Sequence, residues 1–165
     1  MTVIGLGTPA ATSMAGFKHM VRVYWEDTDA GGVVFYANYL KFFERARTEW
    51  LRALGIEQQT LRDETHAIFV VTETALHYRA PAKLDDLLQI SVVASETGRA
   101  SMRLQQRAWR PARPGAADPS AATLLCEGSI RIGCVDARNF RPCRFPAAVL
   151  AAITTPTLTS FAATP

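Results

Sequence analysis

Apolar and polar residues alternate with a period of two from about residue 19 to 26, with Val21, Val23 and Trp25 on one face and Arg22 and Tyr24 on the other. Successive side chains of a strand point to opposite faces, so this spacing predicts a first β-strand. From about 37 to 54 the period lengthens. Tyr39, Phe43, Ala46, Trp50 and Leu54 recur every three or four residues, and Leu40 and Leu51 widen the stripe. Lys41, Glu44, Arg45, Arg47, Glu49 and Arg52 mostly occupy the rest of the circumference, the pattern of a long helix that buries one side. Asn38 is the expected N-cap and Gly55 the C-terminal stop. The string "IEQQTLRDET" predicts a short second helix.

Period two returns at Ala67. Ile68, Val70, Thr72, Thr74, Leu76 and Tyr78 are expected on one face of a long strand that Pro81 ends. Leu88, Ile90, Val92 and Ala94 mark the next strand, with "ETG" (96–98) as its turn. Residues 100–110 make a third, with Met102 and Leu104 inward, and residues 122–135 a last one, with Leu124, Cys126, Ile130, Ile132 and Cys134 on one parity. The Pro- and Ala-rich stretch 111–121 reads as a mobile hairpin loop, and "PAAVLAAI" as a closing helical turn. A strand, one long helix and four strands joined by short turns have one economical packing. An antiparallel sheet curls over the helix and buries its stripe, giving a single α+β domain over 18–153 with flexible tails at 1–17 and 154–165. Part of the half-polar outer face of the sheet is expected to meet a second subunit.

Composition changes this picture little. At 165 residues and 48% hydrophobic, the chain can bury a core without disulfides or metal. A net charge of +3 and the lack of any Lys/Arg run argue against a nucleic-acid partner. Cys126, Cys134 and Cys143 show neither a CxxC pair nor metal-ligand spacing, which fits a reducing, cytoplasmic setting. The first sixteen residues carry no charge, so they read as a tail rather than a secretory leader.

The strand-to-helix junction "EDTDAGGVVFYANY" (26–39) carries more chemistry than a turn needs. If the segment is extended, Asp27 and Asp29 point the same way. A carboxylate against an apolar wall gains basicity and can act as general base or attack a carbonyl directly. Gly31 and Gly32 let the backbone pass close to a bound group. The first amides of the helix lack internal partners and can accept a carbonyl oxygen as charge builds on it. Together these parts make a workable acyl-transfer site, while a polar turn with capping carboxylates is the plainer reading of "DTDAGG" alone.

The strings "VRVYWEDTDAGGVVFYANYLKFFERARTEWLRALG", "YRAPAKLDDLLQI" and "CVDARNFRPCRFP" resemble the acyl-CoA thioesterases of the hotdog superfamily, in particular the Tol-Pal-associated branch and the 4-hydroxybenzoyl-CoA thioesterases. The resemblance covers roughly residues 20–150. It implies a sheet of five or six antiparallel strands wrapped around the long helix, a homodimer or homotetramer with the cleft at the dimer interface, and hydrolysis of acyl-CoA without metal or cofactor. It further implies that Asp29 is the catalytic carboxylate, that the backbone amide of Tyr36 holds the thioester oxygen, and that Asp27 is structural. Gly32, Val33 and Phe35 are the implied substrate contacts, with Phe42 a further candidate for the acyl tunnel. Arg99 and Ser101 are candidates for the CoA phosphates, with Arg79 and Arg103 behind them. Glu44 is the runner-up acid, and His77 a cleft-edge donor or an ordinary strand histidine. Two positions depart from the Tol-Pal-associated branch, which usually has His at 36 and Tyr at 25, whereas "FYANY" is nearer the hydroxybenzoyl type. Acyl carrier protein is the alternative carrier, and a non-catalytic acyl-CoA-binding scaffold the alternative function.

Overall fold

A computed structural model describes residues 16–112 and 121–154. The elements in chain order are β1 (Phe17–Arg22), a 3-10 turn (Trp25–Asp27), α1 (Asn38–Ala53), α2 (Gln58–Thr65), β2 (Ala67–Tyr78), β3 (Leu87–Thr97), β4 (Ser101–Arg110), β5 (Thr123–Asp136) and α3 (Ala147–Thr154). The five strands form one sheet in the order β1-β3-β4-β5-β2, antiparallel at every step. Most of the expected tails, and most of the 111–121 loop, lie outside the described residues. Phe17 already belongs to β1 and Thr154 still to α3, each one residue inside an expected tail.

The sheet covers the apolar side of α1, as the order of elements predicts. Tyr39, Phe42, Phe43, Ala46, Trp50 and Leu51 form the buried face, in one cluster with Leu88, Ile90, Val92, Leu104 and Ile130. Leu40, expected to widen the stripe, is exposed. Phe42 is wholly buried in this core, which removes it from the tunnel-lining candidates. Gly128 of β5 lets the helix seat: a Cβ there would stand 2.6 Å from Leu76 Cδ2 and 3.0 Å from Phe43 Cε2. The helix ends at Gly55 (φ +77°), as expected, in a double closure in which Gly55 N–H donates to Arg52 O and Ile56 N–H to Leu51 O.

One polar link crosses the helix–sheet seam. Gln106 of β4 is fully buried, donates Nε2–H to Phe43 O at 3.0 Å, and accepts from Arg47 Nη1 at 2.8 Å. Glu44 takes the other side of the same guanidinium. A buried charge is tolerable only when its donors are satisfied in this way.

Irregularities in the strands correct the expected faces. The register of β2 on β5 shifts between Val71 and Glu73. An extra residue in one strand flips the parity beyond it. Phe69 therefore packs on the core before the shift and Leu76 after it, and Ile68 and Val70 do not share a face with Leu76. A shift between Ala108 and Trp109 turns Leu125 into the core beside Cys126 and leaves Leu124 half-buried. The first strand stops at Arg22, so Trp25 does not join Val21 and Val23 inside and is 79% exposed. In the turn at 81–86, Asp86 accepts Lys83 N–H and pairs with Arg110 at 3.1 Å.

Candidate active site

The junction is a compact unit built on Asp27. Its N–H donates to Tyr24 O (3.1 Å), and its Oδ2 accepts Tyr24 N–H (2.9 Å), which closes the 3-10 turn and ends the extended run. Its carbonyl accepts Phe35 N–H (2.8 Å) and Asn38 Nδ2–H (3.0 Å). Asp27 is 2% exposed, so it is a bracket between turn and helix, and it does not point the same way as Asp29. Asn38 does not cap the helix amides. Ala37 holds the N-cap position, and the buried Asn38 amide donates to the junction instead.

Asp29 opens a tight hairpin. Its N–H donates to Val33 O (2.9 Å), Gly32 N–H donates to Asp29 O (3.0 Å), and Thr28 bridges Val34. Gly32 sits at φ +73°, the left-handed residue that such a loop requires after its turn. Gly31 N–H donates to Asp29 Oδ1 at 2.8 Å, and a Cβ on Gly31 would crowd that oxygen at 3.1 Å. One glycine thus shapes the loop and the other makes room for the carboxylate. Val33 bridges Lys83 and Val34 N–H donates to Ala82 O, which fastens the hairpin to the 81–86 loop.

An open cleft of about 370 Å³ lies between this hairpin and the start of α1. Asp29, Val33, Tyr36, Tyr39, Tyr78 and Arg79 are among the side chains that line it. Asp29 is exposed at its edge rather than sunk against an apolar wall. The backbone N–H of Tyr36 donates to no group among the described residues, while its carbonyl accepts the Tyr78 hydroxyl at 3.0 Å. The Tyr78 ring meets Tyr36 edge-on at 6.5 Å and Tyr39 at 5.7 Å. Burial pushes the Tyr39 phenol up to about 12 and also raises Tyr78, so both keep their protons at neutral pH. Arg79 is neutralised by Glu127 at 2.6 Å, whose carboxyl that bond holds below the usual carboxylate range.

The other candidates stand apart. Gly32 is in the hairpin turn, and Phe35 is exposed with its ring 4.5 Å from that of Tyr36. Glu44 is bound to Arg47 and does not line the cleft. His77 is exposed, opposite Glu127 in the ladder. Arg99 and Ser101 occupy the far end of the sheet. Ser101 pairs with Gly133, whereas Tyr78 of the cleft pairs with Cys126, itself opposite Ala108. Seven residues of β4 separate these ends, about 23 Å at about 3.3 Å per residue. Ser101 and Arg103 line a separate depression with Arg131 and Glu96. Tyr78 was missed in the sequence because the alternation marked it only as a strand residue, and nothing local shows that its hydroxyl reaches a residue 42 positions away.

An acyl-CoA thioesterase YbgC of Haemophilus influenzae is 45% identical over 137 residues, covering 83% of this chain and 93% of the relative. An acyl-CoA thioester hydrolase YbgC of Escherichia coli is 41% identical over 135 residues, 82% and 93%. A probable thioesterase from Bartonella henselae superposes with a TM-score of 0.63 at 30% identity, over 78% of this chain and 96% of that one. A 4-hydroxybenzoyl CoA thioesterase mutant complexed with 4-hydroxybenzoyl CoA shares the fold, with a TM-score of 0.74 at 18% identity over 83% and 97%. A family model described as the thioesterase-like superfamily matches residues 23–153, from the last residues before the junction to the end of α3, and the chain belongs to that superfamily.

Proposed function

We propose that this chain hydrolyses acyl-CoA thioesters to the free acid and CoA, with Asp29 as the reacting carboxylate and the Tyr36 N–H as the oxyanion donor. One observation carries the assignment of residues. Asp29 and Tyr36 line one cleft, and the Tyr36 amide, one residue before the N-cap of α1, is unpartnered among the described residues. The thioester carbonyl would take that donor while Asp29 acts from the other side. As a base, Asp29 removes a proton from water, the hydroxyl adds to the carbonyl, and the CoA thiolate leaves. As a nucleophile, it adds to the carbonyl itself, the C–S bond breaks and the CoA thiolate leaves, and water then opens the acyl-enzyme anhydride to free acid and regenerated carboxylate. Both routes need the same carboxylate and the same donor. Gly32, Val33 and Phe35 would contact the acyl side.

The separation of the Arg99–Ser101 turn from the cleft supports a homo-oligomer in which a second copy brings that turn to the CoA phosphates. The β2 edge of the sheet, with exposed Val71 at its middle, is open in a single chain, and such edges invite pairing. The free thiols fit a cytoplasmic enzyme.

The test is Asp29→Asn, assayed with a panel of acyl-CoA esters and a thiol reagent, beside the same acyl groups on acyl carrier protein. The expected result is a loss of about 10²- to 10⁴-fold in kcat with unchanged circular dichroism and native mass. Full activity in that variant would move the role to Glu44 or elsewhere. Binding of acyl-CoA without thiol release by the unaltered protein would make it a scaffold.

A further inference from the structure

The end of β5 continues into a short ladder with the segment 141–145. Asp136 N–H donates to Arg141 O and Cys143 N–H to Cys134 O, each at 2.9 Å, with Val135 bridged to Pro142 between them. These bonds set Cys143 across from Cys134, joined by the single bond from Cys143 N–H because Cys134 N–H turns to Ala100 O; Cα atoms of facing antiparallel residues stand about 4.5–5.5 Å apart. A disulfide spans Cα separations of about 4.4–6.8 Å. The two side chains also project to the same side, and their Sγ atoms are 3.4 Å apart. Cys134 is fully buried, and Cys143 is partly open to solvent. Cys126, the third thiol, lies toward the other end of β5 and is fully buried.

We propose that Cys134 and Cys143 form a reversible dithiol–disulfide site, oxidised by a peroxide. Cys143, the accessible member, attacks the peroxide oxygen. The O–O bond breaks, Cys143 becomes a sulfenic acid, and water leaves when hydrogen peroxide is the oxidant. Cys134 then attacks the Cys143 sulfur. Its proton goes to the departing hydroxyl, the S–S bond forms, and a second water is released. Two thiols have lost two electrons, and one peroxide has become two waters. Cys134 is the second to react because it is fully buried while Cys143 is partly open, and that burial raises the Cys134 thiol above its ordinary value.

The bond would join β5 covalently to a segment that now holds on by backbone hydrogen bonds and one buried ring. Phe145 packs its ring against Phe69 at 5.7 Å and donates its N–H to Arg99 O at 2.8 Å. Cys134 N–H donates to Ala100 O, so the same site underlies the β3–β4 turn from both sides.

The experiment uses the full reduced chain, treated with hydrogen peroxide without denaturant, then alkylated, digested and mapped by mass spectrometry. The expected product has lost two hydrogens, carries a Cys134–Cys143 link within one chain, and returns to the starting mass with dithiothreitol. Cys126→Ala keeps the link, and Cys143→Ala abolishes it and leaves Cys134 free to alkylate after unfolding. Absence of the link, a link through Cys126 or between chains, or Cys143 driven to sulfinic acid beside an unreacted Cys134 would each overturn the proposal.

Discussion

At the scale of single residues, the junction divides its labour between two carboxylates that the sequence sets side by side. Asp27 turns inward and gathers three backbone partners and the Asn38 amide, whereas the Asp29 side chain turns out to the cleft and its carboxylate accepts only the Gly31 N–H among the described residues. Their identity as acids was legible in the sequence. Their opposite orientations were not, because the 3-10 turn that ends at Asp27 has no hydrophobic period to announce it. Tyr78 is the residue whose part emerges only in three dimensions. Its hydroxyl fixes the Tyr36 carbonyl, and with it the backbone next to the unpartnered N–H. Tyr78→Phe keeps the ring contacts and removes one hydrogen bond worth about 0.5–1.5 kcal/mol. If the oxyanion donor depends on that anchor, kcat for acyl-CoA hydrolysis should fall by about 2- to 10-fold with KM nearly unchanged. A steady-state comparison with the unaltered protein checks it, and an unchanged kcat would reduce Tyr78 to a packing residue.

At the scale of elements, the periodicities located α1 and the five strands but not the breaks within them or the end of β1 at Arg22. The helix stripe was readable because a continuous α1 keeps its phase from Tyr39 to Leu51. The strands lose phase at bulges, and a bulge depends on the neighbouring strand rather than on its own sequence, so the shift near Thr72 left no local mark. Gln106 is a second case. In the alternation of β4 it falls on the apolar face with Met102 and Leu104, where a polar residue looks misplaced until Arg47 and the Phe43 carbonyl are seen to require it. Gln106→Leu should therefore destabilise the fold, although it puts an apolar side chain in the core. It leaves a buried guanidinium nitrogen without its acceptor and removes the side-chain bond to the Phe43 carbonyl, a cost of about 2–4 kcal/mol after allowance for the Glu44 contact that remains. Urea unfolding followed by circular dichroism measures this directly. A variant as stable as the parent would mean that the seam holds through its apolar contacts alone.

At the scale of the whole molecule, two acidic side chains of β5, Glu127 within the strand and Asp136 at its end, are paired with arginines. Arg138 holds Asp136 down to about 2, through its side chain first and its backbone N–H second, and Arg79 depresses Glu127. An unfolded Asp or Glu titrates at about 4. Because both folded values are lower, the stabilisation is complete above about pH 4 and is lost as the pH falls toward 2. Thermal unfolding from pH 2 to 6 should show Tm dropping across that window, and Asp136→Asn should flatten the lower part of the drop. The fold could be read from the sequence at this scale, since one apolar helix and five strands leave few packings open. The relation between the cleft and the Arg99 turn could not, because strand direction and register decide which ends of a sheet coincide. That relation reaches beyond geometry. If the carboxylate and the phosphate contacts of one reaction centre lie on different copies of the chain, then assembly is itself a step in catalysis, and dilution alone would silence an enzyme whose every domain is still correctly folded.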